Sequence, residues 1–198
     1  MNKAITILKN EHRSISAVLS GLKELAHMAH HATGRPDFGV FRAMLRYIDE
    51  YPERLHHPKE DEYLFARLAA RLPEAKPLLE ELQAEHVEGA RRVRDLERAL
   101  LFLEDRWPAG VREFSEAVDG YAQFHWNHMR REEEKVLPLA ELHLSQADWD
   151  LIGRAFAGND DPIADLREKD FQVLFSRIAS LAPAPIGLGD PWKKSARS

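Results

Sequence analysis

Apolar residues recur every three or four positions along four long stretches of the chain, which is the spacing of one face of an α-helix. Breaks rich in Gly, Pro and Asp separate the stretches, at "TGRPD" (33–37), "LPEAKP" (72–77) and "DRWPAG" (105–110). No stretch shows the strict alternation that is typical of a β-strand. The predicted helices cover about 3–32, 38–71, 74–104 and 109–141.

Short connections between long helices favour antiparallel neighbours. The sequence therefore predicts an all-α domain over 1–142, an up-down-up-down four-helix bundle. Asp37 is expected to cap the second helix at its N-terminus. Pro52 and Pro58 are expected to kink that helix or to restart it locally, because proline cannot donate a backbone hydrogen bond.

The remaining chain, 143–198, reads as a shorter C-terminal extension. Its periodicity predicts a helix over about 145–157, capped by Ser145, and another over about 162–181. The last residues, "APAPIGLGDPWKKSARS", are rich in Pro and Gly, so we expect an extended tail over about 183–198.

Charge and composition exclude several classes of protein. The net charge of −5 argues against a nucleic-acid partner held through phosphates and against a basic membrane-surface module. With no cysteine, the chain offers no disulfide or thiolate metal site. It has neither the apolar segment of a signal peptide nor a run of about 18 apolar residues, so we expect a cytoplasmic protein with no membrane partner.

Each predicted helix has a core-facing stripe that is apolar except near its middle. There the stripes carry His12, His56, Glu60, His86, His128 and Glu132. One such histidine would be read as an ordinary core residue, but an ionised carboxylate in an apolar interior needs a partner or a metal. Because residues four apart share a helix face, we expect these side chains to converge on a metal site.

Each of three further residues near this site could have one of two roles. His125 shares the face of His128, and it could be an additional metal ligand or a residue that orients one. Glu11 and Glu85 each precede a stripe histidine, and they could orient ligands through hydrogen bonds or be solvated surface residues.

The two halves of the chain repeat one pattern. "NEHRSI" followed by "HHPKE" in the first half corresponds to "AEHVEG" followed by "HMRRE" in the second. The separations are similar, with 44 positions from His12 to His56 and 42 from His86 to His128. The repeat predicts two helical hairpins related by a pseudo-twofold axis, and therefore two metals.

The repeat also selects one of two registers in "HHPKED". Both His56–Glu60 and His57–Asp61 have the right spacing. Aligning "EDEYLF" with "EEEKVL" selects His56 and Glu60. In a regular α-helix His57 then points about 100° away, and we read it as a flanking residue.

This combination of motifs resembles the hemerythrin-like HHE cation-binding family over about 1–142. The resemblance implies a four-helix bundle with a non-haem di-iron centre. Its implied ligands are His12, His56, Glu60, His86, His128 and Glu132, with the two glutamates bridging the irons. An oxo or hydroxo group is expected as a further bridge. Zinc or manganese would suit the same mixed donor set.

The chain departs from two relatives of this pattern. Invertebrate hemerythrin has two histidines four apart on its third helix, whereas here Ala90 follows His86. The four-His, two-Glu set is closer to bacterial iron-centre repair proteins, but their cysteine-bearing domain is lacking. Ferritin-type centres use Glu-x-x-His on two helices; "ERLH" at 53–56 fits and "HWNH" at 125–128 does not.

Two functions follow from the resemblance, and the residues do not separate them. The first is binding or sensing of O₂, NO or peroxide at the di-iron centre. The second is a di-iron redox enzyme, or an iron donor in iron-centre repair or the response to oxidative or nitrosative stress. A sensor would need a protein partner, which could dock on the 143–198 extension.

Overall fold

The computed structural model of the chain describes residues 3–32 and 34–157, and every long element in those residues is helical. The five helices described are α1 (Lys3–His30), α2 (38–71), α3 (Lys76–Arg106), α4 (111–143) and α5 (Gln146–Ala157). A single 3₁₀ turn, Pro73–Ala75, precedes α3. The helix predicted over 162–181 and the tail lie outside the described residues.

The helix starts predicted at Asp37 and Ser145 are confirmed by capping hydrogen bonds. The Asp37 carboxylate accepts from the Gly39 N–H at 2.7 Å. Ser145 and Asp148 cap each other at the start of α5. The Asp148 carboxylate accepts the Ser145 N–H at 3.0 Å, and the Ser145 hydroxyl accepts the Asp148 N–H at 3.3 Å. Gly110 precedes α4 with a φ of 85°, a conformation that favours glycine.

The first four helices form a closed ring in which α1 contacts α2 and α4, and α3 contacts α2 and α4. The connections between them are short, so sequential neighbours are antiparallel. The prediction of an all-α bundle is therefore confirmed. Among the described helices, none is long and apolar enough to cross a membrane.

The core of the bundle consists of two apolar clusters with a polar layer between them. One cluster includes Leu19, Leu22, Phe41, Leu96 and Phe114. The other includes Leu8, Phe65, Leu82, Val136 and Ile152. The buried histidines and glutamates lie in the stretch of each helix that joins the two clusters.

Both long helices that carry a His-x-x-x-Glu motif change from α to π geometry at that motif. In α2, π segments cover Asp49–His56 and Glu60–Phe65, and in α4 one covers Glu132–Val136. Pro52 and Pro58 therefore do not end α2. Pro52 lies inside the first π segment, and Pro58 lies at the start of the α segment His57–Lys59 between the two π segments, a position that tolerates proline. Such π segments are frequent at functional sites.

Helix α5 closes one end of the bundle. Trp149, Ile152 and Phe156 pack into the second apolar cluster. The Phe156 ring also lies edge-on to the His56 ring, with 6.0 Å between ring centroids. The first segment of the extension is therefore part of the same packed unit as the bundle.

We expect Ile152→Ala to lower the free energy of unfolding by about 2–5 kcal/mol, because it deletes a fully buried side chain. Leu142→Ala is the matched control, since Leu142 is 76% exposed. A substitution at such a surface position usually changes stability by less than about 0.5 kcal/mol. Urea unfolding of the two variants measures the difference. Equal stabilities would contradict the packing of α5 on the bundle.

Candidate metal centre

The structure brings all six predicted ligands together in the polar layer. Helix α1 contributes one of them, α2 two, α3 one and α4 two. All six are buried, with between 1% and 6% of their surface exposed: His12, His56, Glu60, His86, His128 and Glu132.

Glu60 lies between histidines from both halves of the repeat. Its Oε1 atom is 3.6 Å from Nε2 of His12 and 3.3 Å from Nε2 of His56. Its Oε2 atom is 3.7 Å from Nε2 of His86. One carboxylate therefore has an oxygen directed to each side of the centre.

Glu132 has the matching arrangement from α4. Its Oε2 atom is 3.4 Å from Nε2 of His12, whereas Oε1 is 3.1 Å from Nε2 of His128 and 3.7 Å from Nε2 of His86. The histidines fall into two pairs, His12 with His56 and His86 with His128, and each glutamate faces both pairs.

A second set of carboxylates contacts the outer nitrogen, Nδ1, of each of these histidines. The contacts are His12 with Glu133 (2.9 Å), His56 with Glu11 (2.6 Å), His86 with Asp61 (3.0 Å) and His128 with Glu85 (2.8 Å). Two of them, to Glu11 and Glu85, join residues of one hairpin, and the other two cross between hairpins. The contacts thus follow the pseudo-twofold repeat.

Of these four outer carboxylates, the sequence indicates Glu11 and Glu85 as candidates for this role but not Asp61 and Glu133. A signal was present, because an acidic residue directly follows the inner glutamate in both halves, as "ED" at 60–61 and "EE" at 132–133. Carboxylates that accept from Nδ1–H are the usual means of orienting a metal-binding imidazole.

The Nε2 atoms of these histidines, which face the centre of the polar layer, have the chemistry of a cation site. Nε2 of His86 and Nε2 of His128 are 3.0 Å apart. If each ring is neutral and donates Nδ1–H to its carboxylate, the two facing atoms both carry lone pairs, which repel unless a proton or a cation lies between them. Several buried inner atoms have no hydrogen-bond partner: His12 Nε2, His56 Nε2, Glu60 Oε2 and both oxygens of Glu132.

Burial of such groups is unfavourable unless a ligand satisfies them. Two groups of buried donor atoms, each with all members within 4.8 Å of one another, could hold a cation. The first consists of His12, His56 and Glu60, and the second of His57, Glu60, His86 and His128. The donor set fits a metal ion with nitrogen and oxygen ligands.

The protonation states of the buried histidines and glutamates depend on one another. Burial by itself would lower the pKa of His12, but the hydrogen bond with Glu133 and the nearby carboxylates of Glu60 and Glu132 raise it to about 8. Burial also tends to lower the pKa of His86 and His128. The neighbouring carboxylates outweigh it and raise these pKa values to about 9 and about 10. Burial and the negative charge of Glu60 tend to raise the pKa of Glu132. The interaction with His128 outweighs them and lowers this pKa to about 2. Without a metal, protonated histidines therefore balance the inner carboxylates.

The sequence profile of the hemerythrin HHE cation-binding domain matches residues 3–140, most of the chain and all of the polar layer. The chain belongs to the hemerythrin HHE family. Comparison with curated proteins found no match. The family's cation-binding role agrees with the buried His and Glu cluster of this HHE bundle.

The HHE bundle also contains a polar cluster that the sequence reading missed, centred on the buried carboxylate of Glu53. Its Oε1 atom accepts the Tyr121 hydroxyl at 2.8 Å and is 3.2 Å from Nε2 of His125. Its Oε2 atom is 3.3 Å from Nδ1 of His57. A Cβ atom at Gly89 would lie 3.0 Å from Glu53 Oε1, so any side chain there would press on the cluster.

His57 and His125 differ in how the structure places them. His57, read from the sequence as a flanking residue, is buried and belongs to one of the two groups of donor atoms, whereas His125 belongs to neither. Burial lowers the pKa of His57 to about 3 and also lowers the pKa of His125, so both rings are neutral at pH 7. Four other histidines, near helix ends, are exposed: His27, His30, His31 and His143.

We expect Glu60→Ala and Glu132→Ala to reduce the metal bound per chain, because each removes a carboxylate that faces both histidine pairs. The affinity should fall by more than the roughly 10–100-fold that loss of an orienting partner causes. Glu62→Ala and Glu134→Ala are the controls, since both side chains are exposed. Metal analysis that found equal retention in all four variants would contradict the assignment of inner and outer residues.

Metal uptake should release protons. The neighbouring carboxylates raise the pKa of His12 to about 8, of His86 to about 9 and of His128 to about 10, and they also raise the pKa of His56. At pH 7 the metal-free site therefore holds extra protons on these rings, with His86 and His128 sharing one between Nε2 atoms that are 3.0 Å apart. Cations must displace these protons to reach the nitrogens. Affinity should therefore increase as the pH rises from 7 towards 10.

Calorimetric titration of Zn²⁺ into the metal-free protein, in two buffers with different ionisation enthalpies, counts the protons released. We expect about three per filled centre at pH 7, one each from His12 and His56 and one shared by His86 and His128, falling as the pH passes the histidine pKa values. Release of less than one proton would mean that the rings are neutral before the metal binds.

Proposed function

We propose that the protein holds two iron ions in the polar layer and binds a small molecule, O₂, NO or peroxide, at this centre. One observation carries the two-metal proposal: each inner glutamate has an oxygen directed to each histidine pair. A carboxylate placed in this way can bridge two cations. Iron agrees with the donor set and with the family, and zinc or manganese could substitute for it.

A surface groove between α1 and α4 supports access by a small molecule. Its volume is about 480 Å³, and His12 is among the residues that line it. The α1 wall consists largely of small side chains, Ser16, Ala17 and Ser20, whereas Trp126 and Met129 form part of the opposite wall. Of the six inner residues only His12 lines the groove, so the groove approaches the centre on the side of the His12–His56 pair.

The protein residues have three tasks in this proposal. The inner histidines and glutamates hold the cations, and the outer carboxylates fix the ring orientation through Nδ1. The apolar clusters on both sides exclude bulk water from the layer. When bound, a di-iron centre supplies exchangeable coordination positions and one-electron redox chemistry.

A protein partner is a separate part of the proposal. Helix α5 is packed on the bundle, and the rest of the extension, 158–198, lies outside the described residues. Docking of a sensor's partner on the extension therefore remains a prediction.

We expect the purified, iron-loaded protein to contain about two irons per chain and to change its optical spectrum on addition of azide, or of NO after anaerobic reduction. Ser16→Leu should slow the spectral change at unchanged iron content, because it narrows the groove. Ser14→Leu is the matched control, since Ser14 is exposed and is not among the groove residues. Stopped-flow absorption measures both rates.

The same experiment separates the alternatives. A stable adduct supports binding or sensing, whereas turnover with peroxide or O₂ supports the redox enzyme. Transfer of iron to a metal-free acceptor protein supports the iron donor. Spectra that stay unchanged at saturating azide and NO would leave only a structural role for the metal.

A further inference from the structure

Met129 is a buried methionine that borders both the groove and the apolar core. It is 5% exposed and belongs to the first apolar cluster. It also lines the groove between α1 and α4, together with His12 and Trp126. It is not one of the six inner residues, although it directly follows His128 in the chain. A nucleophilic thioether therefore lies between the approach to the centre and the packing of the bundle.

The described part of the chain has two other methionines, and neither borders the groove. Met44 is 1% exposed within the first apolar cluster, and Met28 is half-buried against the same cluster. Neither is among the residues that line the groove. A peroxide molecule that is free in solution reaches the more exposed thioether sooner, so exposure alone favours oxidation of Met28. Delivery of peroxide through the groove favours Met129 instead.

A thioether and hydrogen peroxide react with each other without a further co-reactant. The sulfur attacks one peroxide oxygen, the O–O bond breaks, and a sulfur–oxygen bond forms. The second oxygen leaves as water with both protons, so the sulfur loses two electrons and the peroxide gains two. The product is methionine sulfoxide, a polar side chain in place of an apolar one.

The contact between α1 and α4 beside Met129 also holds an inner residue in place. Helix α1 supplies one inner residue, His12, and Glu133 of α4 holds its ring through Nδ1 at 2.9 Å. Met129 precedes Glu133 by four residues, about one turn of the helix. A sulfoxide at this position places a polar group in the apolar cluster, which is unfavourable unless water or a donor reaches it. Because the groove is the side open to water, oxidation should separate α1 from α4 beside His12.

We infer that peroxide in the groove oxidises Met129 to the sulfoxide, and that this modification loosens α1 from α4 and speeds the release of iron from the centre. The inference rests on the proposed function, because the iron-loaded centre holds peroxide beside the groove. It deepens that function by adding a response to peroxide within the bundle itself. The iron content of the protein then records its exposure to peroxide.

Mass spectrometry of the unaltered protein after brief treatment with hydrogen peroxide measures oxidation at each methionine. In the iron-loaded protein we expect Met129 to be oxidised at least about tenfold faster than Met28, because peroxide held beside it acts at a high effective concentration. In the metal-free protein the order should reverse, since nothing then holds peroxide near the groove. Faster oxidation of Met28 than of Met129 in the iron-loaded protein would overturn the inference.

Two variants test the link between oxidation and iron release. Met129→Leu removes the sulfur at nearly constant volume, a change that cores tolerate well, and Met28→Leu is the matched control away from the groove. After peroxide treatment, iron should pass to a chelator at least about tenfold faster in the unaltered protein and in Met28→Leu, since loss of an orienting contact costs about 10–100-fold in metal affinity. In Met129→Leu peroxide should leave the release rate unchanged. Release that peroxide still accelerates in Met129→Leu contradicts the role given to Met129.

Failure of this inference can be told apart from failure of the proposed function. Mass spectrometry of the unaltered protein decides the site of oxidation even if Met129→Leu does not fold. A protein that holds two irons and binds azide, but whose Met129 stays unoxidised or whose oxidation leaves iron release unchanged, would overturn the inference and leave the proposed function intact. A protein that takes up no iron would overturn both.

Discussion

Two glutamates buried in the middle of an apolar bundle are the constraint on which the rest of this structure depends. Glu60 and Glu132 are each 1% exposed, and an isolated ionised carboxylate in such a place is very unfavourable. The surrounding histidines solve this in two ways, as protonated rings without a metal and as neutral ligands with one. Protons and cations therefore compete for the same nitrogens, which couples metal binding to pH and to stability.

The outer carboxylates make this solution specific. An imidazole can rotate about its side-chain bonds, and a contact at Nδ1 removes that freedom and directs Nε2 inwards. Glu133 of one hairpin fixes His12 of the other, and Asp61 fixes His86 in return. Each hairpin therefore completes the other's ligands, so the centre requires both halves of the repeat. The Glu53 cluster adds a fifth contact of this kind on one side only, which is where the pseudo-twofold symmetry ends.

Packing, the polar layer and surface access lie in different parts of the bundle. Helix α5 covers one end through Trp149, Ile152 and Phe156, away from the inner glutamates. The groove between α1 and α4 lies beside His12, so it approaches the layer from the side of the His12–His56 pair. Its wall residue Ser16 is not among the buried donor residues. A change in the groove can therefore alter access without altering the donor set.

By itself the sequence determined the helices, the bundle and the six polar residues that meet in it. Apolar spacing fixes the angle of a side chain about its own helix axis, and the repeat tied His56 and Glu60 to His128 and Glu132. Only the tertiary structure decided which partners meet across helices. Glu133 reaches His12 over 121 residues and Glu53 reaches Tyr121 over 68, and spacing along one helix carries no information about such contacts. The tertiary structure also decided the direction of His57, because a π turn changes the rotation per residue that the helical pattern assumes.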